Sequence, residues 1–102
     1  MSTERKGGQK AAKNQYNIGI SEETHRGVYA NKVIVAHSRE EFILDFVADF
    51  PPGPQIVARV ITAPTHARAL LDTLAENLAR YERQHGEIPR RASSTPRPAA
   101  DA

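Results

Sequence analysis

The stretch YANKVIVAHSREEFILDF, residues 29–46, constrains this chain more than any other. Gly27 opens VYANKVIVAH, a run rich in Val and Ile that predicts a β-strand. Side chains alternate across a strand, so Tyr29, Asn31, Val33, Val35 and His37 share one side. Ala30, Lys32, Ile34 and Ala36 share the other. Ser38, Arg39 and Glu40 supply a hairpin loop. EFILDFVADF predicts the next strand, with Phe42, Leu44, Phe46 and Ala48 facing one way and Ile43, Asp45 and Val47 the other. A strand with one wet face alternates apolar and polar residues. This one is apolar on both faces and carries a carboxylate among its hydrophobes. What covers the second face, and what Asp45 answers to, are the questions the sequence poses.

The rest of the chain supplies neighbours for that strand. PPGP, residues 51–54, stops it, because Pro51, Pro52 and Pro54 cannot donate to a ladder. QIVARVI, residues 55–61, predicts a further strand, with Ile56, Ala58 and Val60 opposite Val57, Arg59 and Ile61. Upstream, YNIGI alternates Tyr16, Ile18 and Ile20 and predicts a short strand. SEETHRG reads as a polar connection. TAPTHARALLDTLAENLARYERQHG predicts a long helix. Pro64 stands where a first-turn proline belongs, and Gly86 where a left-handed cap ends a helix. Ala67, Leu70, Leu71, Leu74, Leu78 and Tyr81 recur at helical spacing as one stripe. Glu76 and Arg80 form an exposed i,i+4 pair. The order predicts an α+β fold: an antiparallel sheet of three to four strands followed by one long C-terminal α-helix packed on one face. Residues 14–88 read as a single domain. Residues 1–13 are polar and basic, and residues 89–102 are rich in Pro, Ser and Ala; both read as disordered tails.

One helix covers one face of such a sheet. The other face, with Ile34, Ala36, Ile43, Val47, Val57 and Ile61, is no more polar than the first. Its simplest cover is a second copy of the chain, since two-fold homodimers are the commonest oligomers and an exposed apolar patch of that size is a liability. The tails have too few apolar residues to serve instead. The reading is therefore a homodimer or higher homo-oligomer. If the strands flanking PPGP pair antiparallel, Asp45 falls opposite position 59 or 60. An Asp45–Arg59 cross-strand pair then answers the carboxylate, worth about 0.2–1 kcal/mol in an exposed sheet. A pair solvating a buried charge outweighs an acid or anion-binding site as the reading of these residues. Asn31 and Asn77 lie beside apolar faces and read as backbone partners at an element edge or dimer seam. The candidate interface residues are thus Asn31, Ile34, Ile43, Asp45, Val47, Arg59, Asn77 and Tyr81.

The sequence argues against several kinds of chemistry. The chain of 102 residues has no cysteine, which excludes disulfides and thiolate catalysis. His25, His37, His66 and His85 show no paired-ligand spacing, so neither a metal nor another cofactor is expected. Ser38 beside His37 is a turn pair without the glycines of a nucleophile elbow. Gly7-Gly8 lacks the Lys-Ser/Thr of a phosphate loop. No run is long and apolar enough to span a membrane, and MSTERKGGQKAAK has no apolar stretch of a secretory signal. An enzyme is not expected. The net charge of +2 is unevenly spread. Residues 1–13 carry four basic residues against one acidic, and residues 89–102 three against one. Residues 14–88 carry seven against ten. The basic character belongs to the tails. The alternative function is accordingly a non-specific nucleic-acid-binding accessory protein that uses basic tails on phosphates. Against it, the central region lacks a helix-turn-helix, a basic helical stripe or aromatic RNA-binding motifs. Another protein adding a strand to the sheet edge is a further partner class.

Between YNIGI and Ile88 the chain resembles a small prokaryotic family known as domain of unknown function 3467. The pattern is a Tyr-Ala-Asn strand start (Tyr29, Ala30, Asn31), a His-Ser turn (His37, Ser38), and Glu41-Phe42 leading to Asp45-Phe46. Arg59-Val60, Pro64, Asn77-Leu78, Tyr81-Glu82 and Gly86-Glu87-Ile88 follow in order. Ala63 stands where the family often has Ser before the proline. The resemblance implies a small cytoplasmic bacterial or archaeal protein and implies no activity. The expectation is a non-catalytic, homo-oligomeric structural or protein-interaction module.

Overall fold

A computed structural model describes residues 15–90. The tail expected over 1–13, and that over 89–102 beyond Arg90, lie outside the described residues. The described residues fall into two compact units, one ending at Ala63 and the other beginning at Pro64.

The first unit carries a one-turn helix and a sheet. Helix α1 spans Glu22–Arg26. The Ser21 hydroxyl accepts the Thr24 backbone N–H at 3.1 Å and satisfies one of the orphan donors at the helix start. Glu22 and Glu23 sit in the first turn, His25 and Arg26 in the last, as the helix dipole favours. Gly27 ends the helix at φ 76°, donating to the Thr24 carbonyl. SEETHRG is therefore a capped turn of helix, where the sequence suggested only a connection. YNIGI, by contrast, forms no strand: it begins in a turn, Asn17 takes a left-handed φ of 60°, and only Ser21 makes an isolated bridge. A left-handed residue breaks the extended path that a ladder needs.

Strands β1 (Lys32–His37), β2 (Phe42–Phe50) and β3 (Gly53–Thr62) form an antiparallel sheet in the order β1-β2-β3. The alternating Val, Ile and Phe residues of these runs suit a pleated ladder. Ser38 closes the first hairpin: its N–H donates to the Glu41 carbonyl, and its hydroxyl accepts from the N–H groups of Glu40 and Glu41. The second hairpin is tighter than PPGP suggests. Phe50 pairs with Gly53, so Pro51 and Pro52, joined by a cis peptide, are the whole loop. Pro54 lies within β3 opposite Asp49, which an edge strand tolerates.

The pairing of β2 with β3 shifts between Phe46 and Val47. Phe46 faces Ala58, whereas Val47 faces Ile56, leaving Val57 as an extra residue. A one-residue slip reverses every side chain beyond it. Ile56 therefore joins Val47 on the face of Asp45, not the face of Phe42, Leu44 and Phe46 that strict alternation predicts.

Among the described residues only Asp45 and Val47 are buried, at 8% and 5% exposure. Both belong to the central strand and to one face. Ile34, Ile56 and Ile61 on that face, and Val33, Val35 and Val60 on the other, are 46–56% exposed.

The second unit is helix α2, Pro64–His85. Gly86 follows at φ 97°, its N–H donating to the Glu82 carbonyl at 2.9 Å. The Glu82 carboxylate accepts the Ile88 N–H at 2.8 Å and ties down the chain after the helix. No residue of α2 is buried. Leu70, Leu71, Leu74, Leu78 and Tyr81 of its stripe are 45–56% exposed.

Candidate functional site

The face of the sheet that carries Asp45 gathers most of the candidate residues. Register puts Ile34 of β1 and Arg59 of β3 on either side of Asp45. Ile43 and Val47 lie two positions away along β2, with Ala36, Ile61 and Ile56 as their partners on the flanking strands. The carboxylate thus stands in the middle strand, ringed by aliphatic side chains. Arg59 answers it with a two-pronged contact: Nε donates to Oδ1 at 2.7 Å and Nη2 to Oδ2 at 2.8 Å. This is the bidentate geometry that a planar guanidinium provides and a lysine does not. The Asp45 side chain is 11% exposed and that of Arg59 57%. The cation therefore lies as an outer layer over a nearly covered anion.

The electrostatics follow from that arrangement. The hydrogen bonds from Arg59 hold the Asp45 carboxyl below the usual carboxylate range; burial opposes them, and the positive charge of Arg59 adds to them. The same hydrogen bonds and the charge of Asp45 push the guanidinium up. Both carboxylate oxygens are engaged, and the acid is held ionised. Such a group is poorly suited to exchange protons with a substrate near neutral pH.

A second pair closes one end of the same face. Lys32 Nζ lies 2.8 Å from Asp49 Oδ2. Register puts Lys32 beside Val47, with Asp49 on the diagonal. This pair and Ile56 escaped the sequence reading. The first was legible once the hairpin register was drawn; the second was hidden by the bulge.

Asn31 stands just before β1 and works on the backbone. Its Oδ1 accepts the Asp49 N–H at 2.9 Å, and its Nδ2 faces the Asp49 carbonyl at 3.4 Å. Its own N–H donates to the Val47 carbonyl. The side-chain amide stands in for one more peptide of β1 and extends the ladder. Asn77 and Tyr81 belong to α2, not to this face. Asn77 Nδ2 donates to the Thr73 carbonyl at 3.0 Å, and Arg80 Nη1 donates to Asn77 Oδ1 at 3.3 Å. The Tyr81 ring lies against His85, centroids 4.7 Å apart. On the opposite face of the sheet the His37 and Phe42 rings stack at 5.3 Å.

An open hollow of about 410 Å³ is lined by Glu23, Thr24, Gly27, Val28, Val57 and Ala58. One carboxylate, one hydroxyl and apolar walls give it no constellation of acid, base and nucleophile. Among the described residues no three His, Asp or Glu side chains gather as metal ligands. No helix among them is long and apolar enough to cross a membrane. Residues 1–90 match a family model described as Protein of unknown function (DUF3467). No curated protein and no solved structure matches the chain.

Proposed function

The chain belongs to the DUF3467 family, whose description assigns no activity, and we propose that it is a non-catalytic, homo-oligomeric structural or protein-interaction module of the prokaryotic cytoplasm. One observation carries the reading. Among the described residues the folded chain buries one apolar side chain, Val47, keeps most other hydrophobes of the central strand partly covered, and leaves most of those on β1, β3 and α2 about half exposed. Ordering a backbone costs about 1–2 kcal/mol per residue. Apolar burial at roughly 25 cal/mol per Å² is the main offset. A sheet with so little of its apolar surface covered needs that burial from elsewhere. A further copy of the chain presents matching apolar surface, and obligate dimers often have no stable folded monomer.

The Asp45–Arg59 pair suits this role better than a catalytic one. Enclosed by a partner, a bidentate ion pair sets register and partner choice more than net stability. Sedimentation equilibrium of the full chain at micromolar concentration is expected to give a multiple of the 11.2 kDa chain mass. The chain mass alone across that range would overturn the proposal.

A further inference from the structure

We infer that α2 is a self-association element, and that it pairs antiparallel with α2 of a second copy across a two-fold axis at the level of Glu76. The inference rests on the homo-oligomer proposed above and names the surface that would build it. Its starting point is the stripe of half-exposed Leu and Tyr side chains on a 22-residue helix with no buried residue.

The stripe specifies its own register. Ala67, Leu71, Leu74, Leu78, Tyr81 and His85 alternate by four and three, the spacing of a coiled-coil seam. Placed antiparallel about Glu76, the layers match in size. Leu74 meets Leu78 of the second copy at the centre, Leu71 meets Tyr81 next, and Ala67, the smallest member, meets His85 outermost. Each layer occurs twice by symmetry.

The flanks of the seam then decide between orientations. A two-fold axis perpendicular to the helices keeps each flank facing its own copy. One flank carries Arg68, Ala75 and Glu82 at heptad intervals. In the antiparallel register Arg68 meets Glu82 of the second copy, and Glu82 meets Arg68, so opposite charges oppose at both ends. Ala75 meets Ala75 on the axis, where a small residue lets the backbones approach. Glu82 can serve both tasks, since Oε2 takes the Ile88 N–H and Oε1 is left to meet Arg68. The other flank brings Asn77 onto the axis, where two amides can pair as donor and acceptor. A parallel pair would set each flank against the opposite one, with Leu70 beside Ala75 and Asn77 beside Glu82 of the second copy, and would lose the Arg68–Glu82 matches.

The absence of cysteine from the chain makes the test direct. Ala75→Cys is expected to cross-link as a dimer under mild oxidation or with a short bismaleimide. Ala69→Cys, on the opposite side of the helix, is expected not to. Arg68→Glu puts like charges at both ends and is expected to weaken the dimer about ten-fold by sedimentation, the sum of two flank pairs reversed. Adding Glu82→Arg is expected to restore the affinity. A dimer that neither cross-links at position 75 nor responds to Arg68→Glu would overturn this geometry and leave self-association through another surface standing. Equal cross-linking at positions 69 and 75 would also overturn it. A monomer at all concentrations would overturn both proposals.

Discussion

Asp45 and Arg59 show how much one pair of side chains can settle. A carboxylate in an apolar strand carries a large desolvation cost unless it is paired, and the Arg59 guanidinium engages both oxygens at once. The pH dependence follows with a definite sign. The pairing lowers the carboxyl pKa in the folded chain. Its contribution to stability is therefore complete above the unfolded carboxylate pKa, about 3.9, and is lost as the pH falls through the lower folded value. Asp45→Asn, which removes the charge and keeps the shape, is expected to lower the urea midpoint at pH 7. It is also expected to flatten the loss of stability on acidification below pH ~4. An unchanged midpoint and an unchanged acid limb would show that the pair stabilises nothing. Asn31 makes a different use of polarity: its amide copies a peptide unit on Asp49 and so places Lys32 within 2.8 Å of the Asp49 carboxylate.

At the level of elements, punctuation residues decide more than propensity does. Ser21 and Gly27 cap α1 at its two ends, so a five-residue helix forms although it is too short to be stable alone. Pro51 and Pro52 turn the chain within two residues. The extra residue at Val57 is the one irregularity in the β2–β3 register, and it re-aims Ile56 onto the Asp45 face. Gly86 ends α2 in the left-handed region at φ 97°, and space around it is open. Its role is thus backbone freedom and not close packing. Gly86→Ala is expected to destabilise the helix end by about 1 kcal/mol, the cost of a left-handed backbone for a residue with a Cβ. Thermal unfolding followed by far-UV circular dichroism measures it; an unchanged midpoint would mean that the cap contributes nothing.

For the whole molecule the decisive quantity is exposed apolar surface. Both faces of the sheet and the α2 stripe present aliphatic side chains at about half exposure. An assembly that supplies the missing burial links folding to association. The midpoint of thermal unfolding is therefore expected to rise with protein concentration, as it does when only the folded state binds a partner. Scans over a hundredfold range of concentration check this, and a midpoint independent of concentration would argue for a self-sufficient monomer. The Arg68→Glu variant is expected to show a lower midpoint at every concentration.

The sequence by itself determined the three strands, their antiparallel order, the long helix with its Pro64 start and Gly86 end, and the partner of Asp45. Each of these follows from short-range rules: alternation, turn residues, and the fixed arithmetic of a hairpin, which brings position 59 opposite position 45. It misread YNIGI and SEETHRG because segments of five to seven residues carry too few periods to separate strand, turn and capped helix. Only the tertiary structure decided where the register slips, since a bulge depends on which neighbours the sheet gives Val57 and not on any residue type. It alone showed how little the described chain buries. Burial is a property of which surfaces meet, and no pattern along a single chain states whether the surface that meets them is its own.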